Sequence, residues 1–283
     1  MTNNITVKAL VITGYGINCE EEMAAAYQFS GAKADIVFIN DILEGDISIH
    51  DYDIVNFPGG FSFGDDISSG KVLANKIKFK QLTSGKTLLD ELQIFLNNGK
   101  FVMGVCNGFQ VLVKLGLLPN IAGNFAPETT LTNNNSGKYE DRWVYCKVNP
   151  NSKTPFLSGI DKIALPVRHG EGRLLIKNDS LRQQIIEQNL NCLSYCDAAG
   201  TITGEYPLNP NGAELNCAGL CSPNGQVFGL MPHPEAFLSF YNHPNWGQLK
   251  RQNPNHTEDG EGLQIFRNIV AHIKLQYLQA VAL

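Results

Sequence analysis

The chain has 283 residues and a formal net charge of −5, from 27 Asp and Glu against 22 Lys and Arg. With 43% hydrophobic and 17% charged residues it reads as a soluble globular protein with a sizeable core. The lack of a Lys/Arg cluster argues against nucleic acid and anionic membranes, and no apolar run approaches the roughly 20 residues of a membrane span.

The start, "MTNNITVKALVITG", passes from a short polar cap straight into a strand, without the basic and apolar regions of a signal peptide. That favours the cytoplasm, where the seven cysteines are expected to be reduced thiols. Residues 6–14 predict a buried strand and 18–32 a helix, with Asn18 at the cap, glutamates in the first turn and Gly31 at the stop. Residues 34–40 and 52–58 predict a second and a third strand. An amphipathic helix over 87–99 leads into a fourth strand at 100–105, and 108–119 predicts a helix stopped by Gly116 and Pro119. Near-continuous apolar strands alternating with helices predict an α/β fold, an open and mostly parallel sheet with helices on both faces.

After about residue 120 the texture changes. "TTLTNNNSGKYED" (129–141) reads as an exposed loop. Strand-like pieces follow at 142–149, 162–167 and 191–196, with a hairpin around "SPNGQVFGLM" and its Asn-Gly turn. The second half is therefore expected to be antiparallel and β-rich. Residues 240–259 have little periodicity and read as a long surface loop, and 259–278 as a closing helix. There are no repeats and no low-complexity linker, so residues 1–283 read as one domain.

The spaced pairs Cys192/Cys196 and Cys217/Cys221 suggest metal ligands at first sight. On a strand, however, a spacing of four holds two side chains about 13 Å apart, too far to share a zinc ion at about 2.3 Å per bond. They read as small buried hydrophobes, and no metal is expected.

"MGVCNGFQ" (103–110) places Cys106 between two glycines, after an apolar run and before a helical pattern. This is the form of a nucleophile elbow. A sharp turn at the end of a central strand lifts the sulfur to a helix N-terminus, where the dipole and unpaired N–H groups favour a thiolate. The backbone N–H of Asn107 is then aimed at an oxyanion. A buried cysteine at a tight turn is the plainer alternative. "GLMPHPEAF" (229–237) supplies the proton handler: His233 is held between Pro232 and Pro234, and Glu235 is spaced to orient the ring. The plainer reading of that stretch is a rigid loop with a solvated histidine. "FPGGFSFGDD" (57–66) allows the backbone to turn N–H groups into the crevice at the strand ends.

These three pieces, in this order, resemble the class I (triad) glutamine amidotransferases, and among them the glutaminase subunits of phosphoribosylformylglycinamidine synthase. "GVCNGFQVLVKLGLLP" is similar to the nucleophile segment of those subunits, "FPGGFSFGDDISSG" to their oxyanion loop, "VRHGEGRL" (167–174) to their substrate-side loop, and "NPNGAELNCAGLCSPNGQVFGLMPHPE" to their last hairpin. The resemblance implies a flavodoxin-like fold, with Cys106 as nucleophile, His233 as acid/base and Glu235 as its orienter. It implies oxyanion donors at Gly60 and Asn107, and substrate contacts from Gln110, His169 and Glu171; a turn histidine beside a surface acid is the alternative for the last two. It further implies glutamine as substrate and a separate synthetase subunit as partner, with a small accessory subunit in some assemblies. ATP and Mg²⁺ are expected on that partner, since no ATP-binding motif is present here and no cofactor is expected in this chain. The family pattern continues "PHPE" with arginine, whereas Ala236 follows here, and residues 130–155 and 238–259 look like additions. A glutaminase for another ATP-dependent synthetase, a thiol hydrolase on the same elbow and a catalytically silent docking subunit are the competing readings.

Overall fold

A computed structural model describes residues 5–65 and 67–281, and Asp66 of the glycine loop lies outside the described residues. Nine strands form one sheet in the order β2-β1-β3-β4-β11-β10-β9-β6-β7. The first five positions are β2 (Lys33–Phe38), β1 (Lys8–Thr13), β3 (Ile54–Phe57), β4 (Phe101–Val105) and β11 (Val227–Leu230), all parallel. The other four, β10 (Cys217–Cys221), β9 (Asn191–Cys196), β6 (Glu140–Val148) and β7 (Lys162–His169), continue the sheet antiparallel. The textures of the two halves of the sequence thus meet within one sheet. Strand β4 is buried throughout because both its neighbours are parallel strands and both its faces are covered.

Consecutive residues of β4 show how the faces are covered. Met103 receives the hydroxyl of Tyr27, on α1 (Glu20–Phe29), at 4.0 Å from its sulfur. Gly104 faces Leu112 on α5 (Asn107–Leu115). Neighbouring side chains on a strand point to opposite faces, so α1 and α5 cover opposite sides. The terminal helix α8 (Leu263–Val281) joins α1, with the Phe266 and Tyr27 ring centroids 5.1 Å apart. Helix α3 (Lys71–Phe79) lies beside α5, and α4 (Leu88–Asn97) starts at a capping box of Thr87 and Asp90.

Several expectations need correction. Cys19, not Asn18, occupies the N-cap of α1, and no side chain caps that helix. The second strand stops at Phe38 because Ile39–Glu44 turns into a helix, α2. Residues 129–141 are not one exposed loop: Thr129–Thr132 form β5, which pairs with β8 (Arg173–Ile176) in a second, two-stranded sheet, and Asn134 is buried. Helix α6 (Asp179–Glu187), started by the Asn178 side chain, had no counterpart in the expectations. Residues 240–259 fold over α7 (Trp246–Gln252), held by stacking of Phe240 on His256 with centroids 4.0 Å apart and by Trp143 against Phe237 and His243. Those partners are remote in sequence, so no local period announces them. All seven cysteines are buried and free. No helix among the described residues is long and apolar enough to cross a membrane.

Candidate active site

Cys106 stands between the last residue of β4 and the first of α5. Its φ of 51° and ψ of −104° are rare for an L-residue. The flanking glycines make that turn possible: a Cβ on Gly104 would lie 2.7 Å from the backbone of Gly108, and one on Gly108 would run into the carbonyl of Phe57. The Cys106 N–H donates to the Leu230 carbonyl of β11 at 2.8 Å, and its thiol donates to the Arg168 carbonyl at 3.4 Å.

His233 follows β11, the strand beside β4. Its N–H donates to the Pro166 carbonyl of β7 at 2.8 Å, and Nδ1 meets Glu235 Oε1 at 2.6 Å. Both side chains are buried. Nε2 makes no hydrogen bond, and the Cys106 sulfur stands beside the ring. Burial pushes the imidazole pKa down, but the Glu235 carboxylate and Cys106 more than offset this and hold it well above the ordinary histidine value. So dry a site tolerates an imidazolium only next to an anion.

The glycine loop follows β3, the strand on the other side of β4. The His233 ring lies directly on Gly59, where a Cβ would be 2.7 Å from Cε1. Gly60 has φ +142° and faces Ile17 in an isolated antiparallel bridge. The bonds of that bridge belong to the flanking residues, Asn18 N–H to Gly59 O (3.2 Å) and Phe61 N–H to Gly16 O (2.6 Å). The N–H of Gly60 therefore turns away from the bridge. The Asn107 carboxamide oxygen accepts the Ser62 N–H at 3.2 Å, tying this loop to the elbow helix.

Gln110 is buried, with its amide held at both ends: Oε1 accepts from Asn107 Nδ2 at 2.9 Å, and Nε2 donates to the Glu171 carbonyl at 2.6 Å. This braces α5 against residues 170–172. The Glu171 carboxylate accepts the Ser69 N–H at 3.3 Å, and Asp65 accepts from Ser69 Oγ at 2.8 Å and Gly70 N–H at 3.3 Å. Burial raises the Asp65 pKa, and burial lowers that of Lys114, whose ammonium lies unpaired near Glu171 and Asp65. His169 is buried; its Nδ1–H donates to Asn134 Oδ1 at 3.0 Å, an acceptor fixed because Nδ2 of the same amide donates to the Lys138 and His169 carbonyls. Burial, with His233 nearby, pushes the His169 pKa down to about 3. At the mouth stand the rings of Phe61 and Tyr139, both exposed, with centroids 6.4 Å apart.

The fold thus brings Cys106, His233, Glu235, Gly60 and Asn107 to the carboxyl ends of three adjacent parallel strands, and links Gln110, His169 and Glu171 to that end through hydrogen bonds. Sequence reasoning missed Asn134, Asp65 and Lys114, and also Cys19, whose Sγ lies 4.0 Å from His233 Nδ1. Polar loop texture concealed the first two. The regular pattern of α5 and the supposed Asn18 cap concealed the others.

A thiol on an elbow and a histidine held by a buried carboxylate, on a parallel sheet of this topology, are the layout of the triad glutamine amidotransferases. The family model of the CobB/CobQ-like glutamine amidotransferase domain matches residues 6–273. Phosphoribosylformylglycinamidine synthase subunit PurQ of Methanococcus maripaludis is 43% identical over 276 residues, covering 95% of this chain and 98% of the relative. The PurQ subunit of Dehalococcoides mccartyi is 39% identical, over 93% and 96% of the two chains. Among solved structures, PurLQS from Thermotoga maritima superposes with a TM-score of 0.68 at 27% identity, covering 95% of this chain and all of that one (100%). The chain belongs to the PurQ family of glutamine amidotransferases.

Proposed function

We propose that this chain is a glutaminase subunit that hydrolyses glutamine and passes the ammonia to a separate ATP- and Mg²⁺-dependent synthetase, which converts formylglycinamide ribonucleotide to formylglycinamidine ribonucleotide. The observation that carries this is the buried 2.6 Å contact of His233 Nδ1 with Glu235 beside the elbow cysteine. Its relatives are named as subunits of that synthase, and the matching structure is that of PurLQS from Thermotoga maritima. A small accessory subunit and a cytoplasmic setting with reduced thiols fit the same reading.

In the first step His233 Nε2 takes the thiol proton and the Cys106 sulfur forms a bond to the side-chain amide carbon of glutamine. The carbonyl π electrons move to oxygen, where the N–H groups of Gly60 and Asn107 receive the charge. His233 returns the proton to the amide nitrogen, the C–N bond breaks and ammonia leaves a glutamyl thioester. Water, deprotonated by His233, then attacks the thioester; the C–S bond breaks, His233 returns the proton to the Cys106 sulfur and glutamate is released. Gln110 keeps the elbow helix and the 170–172 loop in register around the substrate, and His169 and Glu171 shape its far wall.

Reconstitution tests the reading. Glutamine-dependent ribonucleotide amidination is expected only with this chain and the synthetase together, while ammonium salts should support the synthetase alone. Glutamine turnover that no synthetase of this class can use would favour the competing reading of a free-standing thiol hydrolase.

A further inference from the structure

Among the described residues, Cys19, His233 and Glu235 form the one group of three metal-ligating side chains whose donor atoms all lie within 4.8 Å of each other. We propose that they form an inhibitory site for a thiophilic divalent transition metal, zinc fitting best, which disables the triad by occupying the far nitrogen of its histidine.

The donor set is mixed: a thiol, an imidazole and a carboxylate, the combination that zinc accepts and magnesium or calcium does not. Cys19 Sγ is 4.0 Å from His233 Nδ1, and Nδ1 is 2.6 Å from Glu235 Oε1. Tetrahedral zinc, with bonds of about 2.0–2.3 Å, holds its donors roughly 3.3–3.6 Å apart. Binding therefore requires the Cys19 and Glu235 side chains to rotate, Sγ towards Nδ1 and the carboxylate away from it. The second carboxylate oxygen, Glu235 Oε2, is buried without a hydrogen-bond partner, although the residue is only 2% exposed. An orphaned buried carboxylate oxygen is an open ligand position. Entry is on the Cys19 side, where its thiol donates to the side-chain oxygen of exposed Asn18 at 3.4 Å. That oxygen, or water, completes the fourth position.

The proton balance explains the inhibition. Cys19 loses its thiol proton to solvent, and the His233 ring offers a bare Nδ1 to the ion while it carries hydrogen on Nε2, so binding releases protons. Nε2 then carries hydrogen and cannot accept the proton of Cys106, and the orienting bond to Glu235 is replaced by a bond to the metal.

Metal binding is testable apart from the glutaminase reading. The reduced, metal-free Cys106→Ser chain is titrated with Co²⁺, whose thiolate charge-transfer and tetrahedral visible bands report the ligand set. One equivalent is expected to bind and to be displaced by Zn²⁺. Adding Cys19→Ser, or Cys19→Ala should the serine variant not fold, should abolish the charge-transfer band, and Glu235→Gln should weaken binding about 10–100-fold. Inhibition, which does rest on the glutaminase reading, is read separately: Cys19→Ser should raise the half-inhibiting Zn²⁺ concentration of glutamate release at least tenfold. No cobalt band in Cys106→Ser, a band that survives loss of Cys19, or unchanged zinc sensitivity in Cys19→Ser would each overturn the proposal.

Discussion

Gly59 shows how closely single residues are set at this site. With His233 Cε1 only 2.7 Å from where its Cβ would be, Gly59→Ala should push the imidazole off its line to Cys106. A misplacement of this kind acts on orientation, so we expect at least a tenfold loss in kcat with little change in Tm. Steady-state glutamate release beside a thermal melt checks it. Cys106→Ser should abolish glutamine-dependent synthesis and spare ammonia-dependent synthesis, because the hydroxyl is a far poorer anion than the thiol. His233→Ala should be nearly as damaging. Glu235→Gln should cost less, on the order of 10²–10⁴ in kcat, since the carboxylate orients and charges the ring without itself transferring the proton. Near-wild-type rates in both histidine and glutamate variants would move the proton handling elsewhere.

Among elements, the short link between β7 and β8 depends on a residue outside it. Asn134 accepts the Gly172 N–H at 3.0 Å in addition to the His169 ring N–H, and its amide donates to the Lys138 and His169 carbonyls. Asn134→Ala would strand several buried polar groups at once. We expect a loss of about 2–3 kcal/mol in folding stability, measurable by urea denaturation, together with a rise in KM as residues 170–172 lose their register against Gln110. A stability change within about 0.5 kcal/mol would show that water replaces the amide there.

For the whole molecule, the two buried site histidines oppose each other in pH. His169 has its pKa lowered to about 3 in the folded state, so between there and the unfolded value of 6.5 the unfolded chain binds the extra proton. Stability contributed by a neutral His169 is present above pH 6.5 and falls on acidification, by up to about 1.4 kcal/mol per pH unit. His233 is shifted upward, so its contribution is full below pH 6.5 and lost as pH rises through its folded value. The sum of these two contributions is greatest from about pH 6.5 up to the folded value of His233. His243 and His272 are also lowered, with the same sign as His169, so comparison with His169→Gln is needed to isolate it. That variant should melt with a shallower decline from pH 6.5 to 4.5 than the parent; parallel declines would assign the acid sensitivity to other groups. Assembly acts at this scale too. The glycine loop carries positive φ at Phe63 and Asp65 as well as at Gly60, Gly64 and Gly70, conformations that L-residues hold only under constraint. Docking of the synthetase is expected to settle this loop and raise glutamate release at least tenfold, which requires about 1.4 kcal/mol of barrier. An isolated chain already at full rate would show that the loop needs no partner.

The parallel half of the fold was legible because each strand and helix there repeats its own period, and the elbow was legible because only glycine fits at 104 and 108 on either side of a turning strand end. The pairing of His233 with Glu235 could be read from a spacing of two across Pro234, with His233 held between two prolines. What the chain places far apart could not be read. Cys19 meets His233 across 214 residues and Asn134 reaches His169 across 35, and neither contact leaves a periodic trace. Long-range side-chain contacts depend on how strands β3, β4 and β11 are ordered in the sheet, and that order follows from burying the whole core at once. Local chemistry singled out the elbow cysteine as the candidate nucleophile; tertiary packing decided what lies behind the histidine.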